Sequence, residues 1–247
     1  MTAGRQVEGR RPVLEALRSG RRVAEVRLSR TARGTDEIRR VASRNGVRVR
    51  FVPREEIDRV ATTRAPQGVI ALVEDFSYVS VADLLARAER DAEPALIVAL
   101  DSVTDPGNLG AVARCAEAAG AHGLVLPGRR SAGVGPAAGK ASAGALEHLP
   151  VARVVNLQRA LHDLSSSGVW VVALDAEADH LLYDLPIAAE PLCLVVGGEG
   201  RGVSRLVRER ADYRVRIPML GSVASLNAAA AAAVALFEIR RRRSPES

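Results

Sequence analysis

Five side chains in three places have the types and spacing to do chemistry: Asn108 with Arg114, Glu199 alone, and Ser225 with Asn227. Each place is a junction where an apolar, strand-like run gives way to a turn and then to a helical pattern. The last junction lies in VRIPMLGSVASLNAAAAAAVALFEIRRRR, Val215 to Arg243, where Ser225 and Asn227 stand before six consecutive alanines. A helix start exposes unpaired N–H groups and the positive end of a dipole, which suits a phosphate or a carboxylate. An Asn cap on a buried, small-sided helix accounts for the same residues. The first junction is ALDSVTDPGNLGAVARCAEAAG, Ala99 to Gly120. There Asp105, Pro106 and Gly107 make the turn, Asn108 is placed to cap, and Arg114 follows nearly two turns into the helix. An Asn and an Arg near one strand end suit a ribose hydroxyl beside a phosphate, and they equally suit a capped helix with a surface arginine.

The middle junction, LCLVVGGEGRGVSRLVRER, Leu192 to Arg210, puts Glu199 inside a glycine loop. It is not a dinucleotide fingerprint: Val203 stands where a GxGxxG beginning at Gly198 needs its last glycine, and no acidic residue follows at the required distance. GVGPAAGKAS fails the phosphate-loop pattern too, with Val134 for its first glycine and Ala141 after Lys140. What remains is a loop whose bare backbone can approach a flat ligand, with Glu199 as a hydrogen-bond acceptor.

The elements that position these groups read as two α/β layers. In the first, Pro12 opens a helix with Val13, Leu14 and Leu17 inward. Val23–Leu28, Val47–Val52 and Gly68–Val73 are strands, and Thr35–Arg44 and Pro53–Val60 are helices. A connector with a helix over Val81–Arg90 follows. Beyond it, short apolar runs at Leu96–Leu100, Gly123–Leu126, Val169–Leu174, Leu192–Val196 and Tyr213–Ile217 predict a parallel sheet covered on both faces, with Trp170 in its core. The intervening helices are Leu109–Ala119, Leu157–Leu164, Val203–Arg210 and Asn227–Arg241. The predicted division is 1–75 for the first domain, 76–93 for a linker and 94–247 for the second domain.

Composition narrows the function. The 247 residues are 47% hydrophobic and 26% charged, as in globular proteins, and no apolar run approaches the ~20 residues that cross a bilayer. No signal peptide is recognisable, so a cytoplasmic protein without membrane contact is expected. Cys115 and Cys193 lie far apart and the four histidines are scattered, which predicts no metal site. The net charge of +6 is uneven: residues 1–75 hold 17 Arg against 10 acidic residues, and the remainder is close to neutral. Lys140 is the only lysine. Arginine's planar fork pairs with phosphate and stacks on bases, so the first domain reads as an RNA-binding module. With aromatic residues at only 3%, such recognition has to lean on arginine.

Taken in order, DPGNLGAVAR, VVGGEGRGVS and IPMLGSVASLNAAAA resemble the three motifs of the SpoU (TrmH) family of RNA ribose 2′-O-methyltransferases, over Ala95 to Arg243. EGRRPVLEAL, near Glu8, and PQGVIALVE, ending at Glu74, are similar to that family's L30e-like substrate-binding domain. The resemblance implies a SPOUT-type parallel-sheet catalytic domain whose C-terminal part forms a trefoil knot, which no periodicity suggests, since knots are near-absent as a rule. It implies S-adenosylmethionine held by Gly197, Gly198, Gly200, Ile217, Pro218, Met219 and Leu226, and Arg114 acting on a ribose hydroxyl among Asn108, Glu199, Ser225 and Asn227. A guanidinium is a poor base, so either Arg114 or an RNA phosphate oxygen receives the proton. A homodimer is also implied, and the alanine helix either packs across it or within one chain. LPGRRSAGVGPAAGKASAGALEHLPV and GVWVVALDAEADHLLYDLP resemble the branch that methylates a 23S rRNA guanosine in the peptidyl-transferase loop. Gly107 and Pro66 stand where that branch often has His. A tRNA substrate, the rRNA site of thiopeptide resistance, and a non-catalytic RNA-binding relative are the alternatives.

Overall fold

The computed structural model describes residues 5–18, 22–62, 66–73, 76–200 and 202–244. The chain forms two compact units, Met1–Phe76 and Ser77–Ser247. In the first, β1 (Arg5–Glu8), α1 (Arg10–Arg18), β2 (Val23–Ser29), α2 (Asp36–Arg44), β3 (Arg48–Val52), α3 (Arg54–Val60) and β4 (Val69–Val73) build a sheet of order β1-β4-β2-β3. Strand β4 is antiparallel to both neighbours and β3 runs parallel to β2. Alternation along β4 serves two layers: Val69, Ala71 and Val73 pack with Val13 and Leu17 of α1 and Ile38 of α2, while Ile70 turns to Ile57 of α3.

The second unit begins earlier than the sequence suggests. Of the expected linker, 76–93, Phe76 falls in the first unit and the rest in the second: α4 (Val81–Asp91), started by a reciprocal Ser80–Asp83 capping box, buries Leu84 among Ile97, Val125 and Leu161. Leu84 lies so close to the strand that begins at Gly123 that a Cβ on that glycine would meet its Cδ2 at 2.4 Å. Val79 also bridges to Ala152. The apolar spacing Val81, Leu84, Leu85 and Ala88 is that of a packed helix, and packing rather than the acidic edges decides where the segment belongs.

The remaining elements are β5 (Leu96–Asp101), α5 (Pro106–Ala118), β6 (Gly123–Pro127), α6 (Pro136–Ala141), β7 (Val151–Val154), α7 (Leu157–Ser166), β8 (Trp170–Leu174), β9 (His180–Leu181), β10 (Leu192–Gly197), α8 (Arg205–Arg210), β11 (Tyr213–Arg216) and α9 (Ala228–Arg243). Their sheet has the order β7-β6-β5-β10-β8-β11-β9, and every strand pair is parallel. Strands β5 to β7 step outward in one direction and β8 to β11 occupy the other side, so the order breaks between β5 and β10. Ligands of open parallel sheets sit beyond the carboxyl ends at such a break, here at Asp101 and Gly197, which lie opposite each other. Trp170 is a correction: it opens β8 at the sheet's amino edge, 41% exposed, with its ring edge-on to Tyr213.

Alternate strand residues face opposite layers. Ile97, Ala99, Val125, Val171, Cys193 and Val195 pack with α4, α7 and α8, which leaves the intervening residues to α5 and α9. The last turn of α9 is fastened at the sheet's amino edge. Arg243 donates to the carbonyls of Pro94 (2.7 Å), Ala95, Ala188 and Glu190; Arg242 donates to Tyr183 and Leu185; Arg240 pairs with Glu93 at 2.8 Å. Burial lowers the Arg243 pKa to about 10.

At the same edge, buried His122 accepts a hydrogen bond from the Leu96 N–H at Nδ1, 3.0 Å, and burial holds its pKa below the usual 6.5. The unfolded chain therefore takes up a proton near pH 6.5 that the folded chain refuses until lower pH. Stability contributed by neutral His122 falls as pH drops through that window. Between about pH 7.5 and 5.5 the melting temperature of the wild type is expected to fall more than that of His122→Asn, whose side-chain oxygen keeps an acceptor and does not titrate. Parallel declines would refute this role.

Candidate active site

Three loops meet at the carboxyl ends of β5, β10 and β11, and the first two are in backbone contact. Buried Asp101, the last residue of β5, accepts the Ser204 N–H at Oδ2 (2.6 Å) and the Gly198 N–H at its carbonyl (2.9 Å). A Cβ on Gly198 would lie 2.3 Å from the Ser102 carbonyl oxygen, and one on Gly197 would lie 2.0 Å from the Gly202 carbonyl carbon. No side chain fits at either position. Gly200 and Gly202 have φ of +78° and +60°, a region that glycine enters without steric cost.

Over this junction sits a polar joint made by three distant parts of the chain. Asp105, not Asn108, caps α5, accepting the Asn108 N–H at 2.7 Å. That leaves the Asn108 side chain free to reach across: its Nδ2 donates to Glu199 Oε1 at 2.9 Å. Asn227 caps α9 as expected, its Oδ1 accepting from Ala229 and Ala230. Its Nδ2 donates to Glu199 Oε1 at 2.6 Å and to Asn108 Oδ1 at 3.0 Å. One carboxylate oxygen thus orients two amides. Glu199 Oε2 has no hydrogen bond among the described residues.

Beside the joint is a cavity of about 460 Å³, within the range of small-ligand sites. Gly197, Gly198, Glu199, Gly200, Ile217, Met219, Ser225 and Leu226 of the sequence candidates line it, together with Leu174 and Val196. Pro218 shares the β11–α9 loop but is not part of the wall. Asn108 and Asn227 touch the wall through Glu199. Arg114 stands apart, on the exposed face of α5, with no hydrogen bond or ion pair to any described residue. Backbone without side chains on one wall and aliphatic groups on the other, with a few polar atoms, fit a flat heteroaromatic ring joined to polar groups.

Sequence reasoning missed Asp175, Glu177, Arg208 and Arg216, which also line the cavity. Asp175 is buried just past β8 and faces Arg208 Nε at 3.3 Å and Arg214 at 3.7 Å, so its charge is compensated by two guanidinium groups. The available signal was position, the first polar residue after a strand adjacent to β10.

A glycine-walled cavity beyond the carboxyl ends of β8, β10 and β11 of an all-parallel sheet, in a chain that also carries a small arginine-rich α/β unit, suits a two-domain enzyme that holds a flat, polar cofactor. Residues 95–237 match the SpoU rRNA Methylase family model, and residues 6–79 match the model for RNA 2′-O ribose methyltransferase substrate binding. The chain is 40% identical over 241 residues to the Bacillus subtilis protein YacO, assigned to the TrmH family of tRNA/rRNA methyltransferases, covering 97% of this chain and 96% of that one. The crystal structure of the SpoU methyltransferase AviRb from Streptomyces viridochromogenes with AdoMet superposes with a TM-score of 0.68 at 30% identity, over 98% of this chain and 91% of that one. For the AdoMet-bound rRNA methyltransferase of Sinorhizobium meliloti the TM-score is 0.65 at 29% identity, over 98% and 89%. The chain belongs to the SpoU family and is an RNA 2′-O-ribose methyltransferase.

Two replacements of Asn227 separate its cap from its link to Glu199. Asn227→Ala is expected to cost about 1 kcal/mol of stability and to depress turnover. Asn227→Asp keeps an oxygen for the α9 cap but sets a carboxylate against Glu199, so turnover falls while the melting temperature stays within a few degrees. An unaltered melting temperature in the alanine variant removes the capping role, and full activity in the aspartate variant removes the link.

Proposed function

We propose that this chain methylates the ribose 2′-hydroxyl of a guanosine in the peptidyl-transferase loop of 23S rRNA, in the cytoplasm, with S-adenosylmethionine as donor. The observation that carries the catalytic part is the Asn108–Glu199–Asn227 joint on the wall of the glycine-lined cavity. The choice of RNA rests on the stretches after β6 and around β8, which resemble that branch of the family. A tRNA substrate is the second reading, favoured by the tRNA/rRNA description of YacO.

S-adenosylmethionine supplies a methyl group on a sulfonium, ready for in-line displacement. In this reading Gly197, Gly198 and Gly200 offer backbone groups to it at close approach, and Ile217, Pro218, Met219 and Leu226 make the apolar side. A 2′-hydroxyl is a weak nucleophile, so the chain's part is to hold it in line and to help its proton leave. Arg114, always charged, orients the hydroxyl and the neighbouring phosphate, and a phosphate oxygen takes the proton. Asn108, Ser225 and Asn227 fix the geometry around Glu199. The closely interlocked loops after β5 and β10 support a knotted C-terminal part.

A homodimer is part of the proposal. The alanines Ala228, Ala229, Ala232 and Ala235 are buried within the unit, whereas Ala230, Val234 and Phe237 form an exposed stripe on the opposite side of α9. Leu220 and Val223, 98% and 65% exposed, lie on the loop just before it. An apolar stripe of this kind supports a partner surface. The first unit, with its arginine surplus, is assigned the grip on RNA.

Arg114→Ala is expected to lower methyl transfer at least about 100-fold while S-adenosylmethionine affinity, measured by calorimetry, stays within a few-fold. Turnover near the wild-type rate would end the catalytic assignment. Mapping of 2′-O-methylation at nucleotide resolution, in rRNA and tRNA from cells with and without the gene, is expected to show one guanosine of the peptidyl-transferase loop losing its methyl group. A lost tRNA methyl group instead selects the second reading.

A further inference from the structure

The segment from Gly128 to Gly135, which joins β6 to α6, takes no part in the cavity or in the polar joint. It belongs to a stretch without a single acidic residue between Glu117 and Glu147, a stretch that holds Arg129, Arg130 and Lys140. The near-neutral total for the second unit hides this local surplus. Arg129 and Arg130 are exposed at the tip of the loop and make no hydrogen bond or ion pair with any described residue. Lys140 on α6 is exposed as well.

Both flanks of the tip are pinned. On one side Arg153 donates to the Gly128 carbonyl and lies over the Tyr78 ring, 5.4 Å from its centre. On the other side the Ala132 N–H donates to the Val103 carbonyl at 2.8 Å, and the Tyr78 hydroxyl accepts the Val134 N–H at 3.1 Å. Arg130 has φ of +55°, a conformation disfavoured for a residue with a Cβ. A loop that existed only to connect β6 to α6 would have no need of this.

The pin at Val103 sets the tip beside the active site. Val103 follows Ser102, whose carbonyl is the atom that Gly198 approaches. Helix α6 then presses on α5 at Gly110, where a Cβ would meet the Ala138 carbonyl oxygen at 2.4 Å. Arg114 is four residues beyond Gly110, one turn along the same strip of α5. The loop, α6 and α5 thus carry cations that have no ion pair with any described residue; the loop touches the β5 loop at Val103, α6 packs on α5, and α5 reaches the β10 loop through Asn108 and Glu199.

We propose that the Arg129–Arg130 tip, with Lys140 on the helix that follows it, is a phosphate-binding rim that receives the RNA backbone next to the nucleotide being methylated. This rests on the RNA ribose methyltransferase reading and adds to it a second anchoring point, within the catalytic unit itself. Exposed guanidinium groups release counterions from RNA whatever its sequence, so the rim positions the substrate without choosing it.

The test uses the full chain and a labelled RNA hairpin, with S-adenosylmethionine affinity, melting temperature and methyl incorporation into rRNA measured in parallel. Replacing both tip arginines, Arg129→Gln with Arg130→Gln, is expected to weaken hairpin binding roughly tenfold at ~0.1 M salt and to make the log affinity against log salt slope shallower by about 1.4 to 1.8. Cofactor affinity and melting temperature stay as in the wild type. The pair Arg129→Lys with Arg130→Lys keeps the slope. Arg90→Gln, an exposed arginine at the end of α4 near the amino edge of the sheet, changes neither. An unchanged slope in the double Gln variant overturns the proposal. So does a loss shared equally by Arg90→Gln, or one accompanied by loss of cofactor binding or melting temperature. A wild type that binds the hairpin with the expected slope but methylates no RNA would sink the methyltransferase reading and leave the rim standing.

Discussion

Contact without clearance between two loops governs the second unit. Where β10 ends, Gly197 and Gly198 lie against the backbone of Gly202 and Ser102 at distances that leave no space for a methyl group. The Asp101 carboxylate locks the same junction by accepting the Ser204 N–H. Neighbouring features follow from this approach. The β10 loop, closed against β5 on one side, offers a bare peptide wall to the cavity on its β8 and β11 side, and Glu199 is carried to where two asparagines from remote helices can reach it. A methyl group at Gly198 would separate the ends of β5 and β10, and one at Gly197 would force open the β10 loop itself, so that the joint would lose its geometry in either case.

Buried carboxylates serve as cross-links in this fold. Asp101 ties the β5 end to the start of α8, and Asp175 draws Arg208 and Arg214 toward the end of β8. Each is placed where a helix N–H or a guanidinium compensates the charge, the condition under which an ionised group can leave water. Glu199 differs: it is solvent-accessible, and its partners are neutral amides. The carboxylates that hold the scaffold are sequestered, and the one at the cavity wall keeps an unengaged oxygen.

How far the sequence could be read depended on how local the determining forces are. The central strands β5, β6, β8 and β10 were legible because continuous apolar runs between turn residues suit strands buried on both faces. Strands β1, β7 and β9 were not, being short edge strands whose membership is decided by pairing partners far along the chain. Residues 76–93 read as a linker because their acidic edges suggest solvent, while Leu84, filling the space that Gly123 leaves open, fixes the helix in the core of the second unit. At the site, the glycines and Asn227 announced themselves by turn and cap chemistry. Asn108 was read as a cap because Asp105, three positions earlier, fits that role equally well by type. Asp175 and Arg208 were silent because their meeting is a tertiary event.

The arginine fastening at the end of α9 bears on how the protein is made. Arg243, synthesised after every strand of the sheet, donates to the carbonyls of Pro94, Ala188 and Glu190, and joins the Leu192 N–H at the carbonyl of Ala95. During translation the carbonyls of Pro94, Ala188 and Glu190 therefore keep water as their partner until the segment through Arg243 has left the ribosome. The first unit has no such dependence, since its strands and helices are complete by Val73. The two halves of this enzyme thus mature on different schedules, with the first unit finished while the second is still waiting for its last turn of helix.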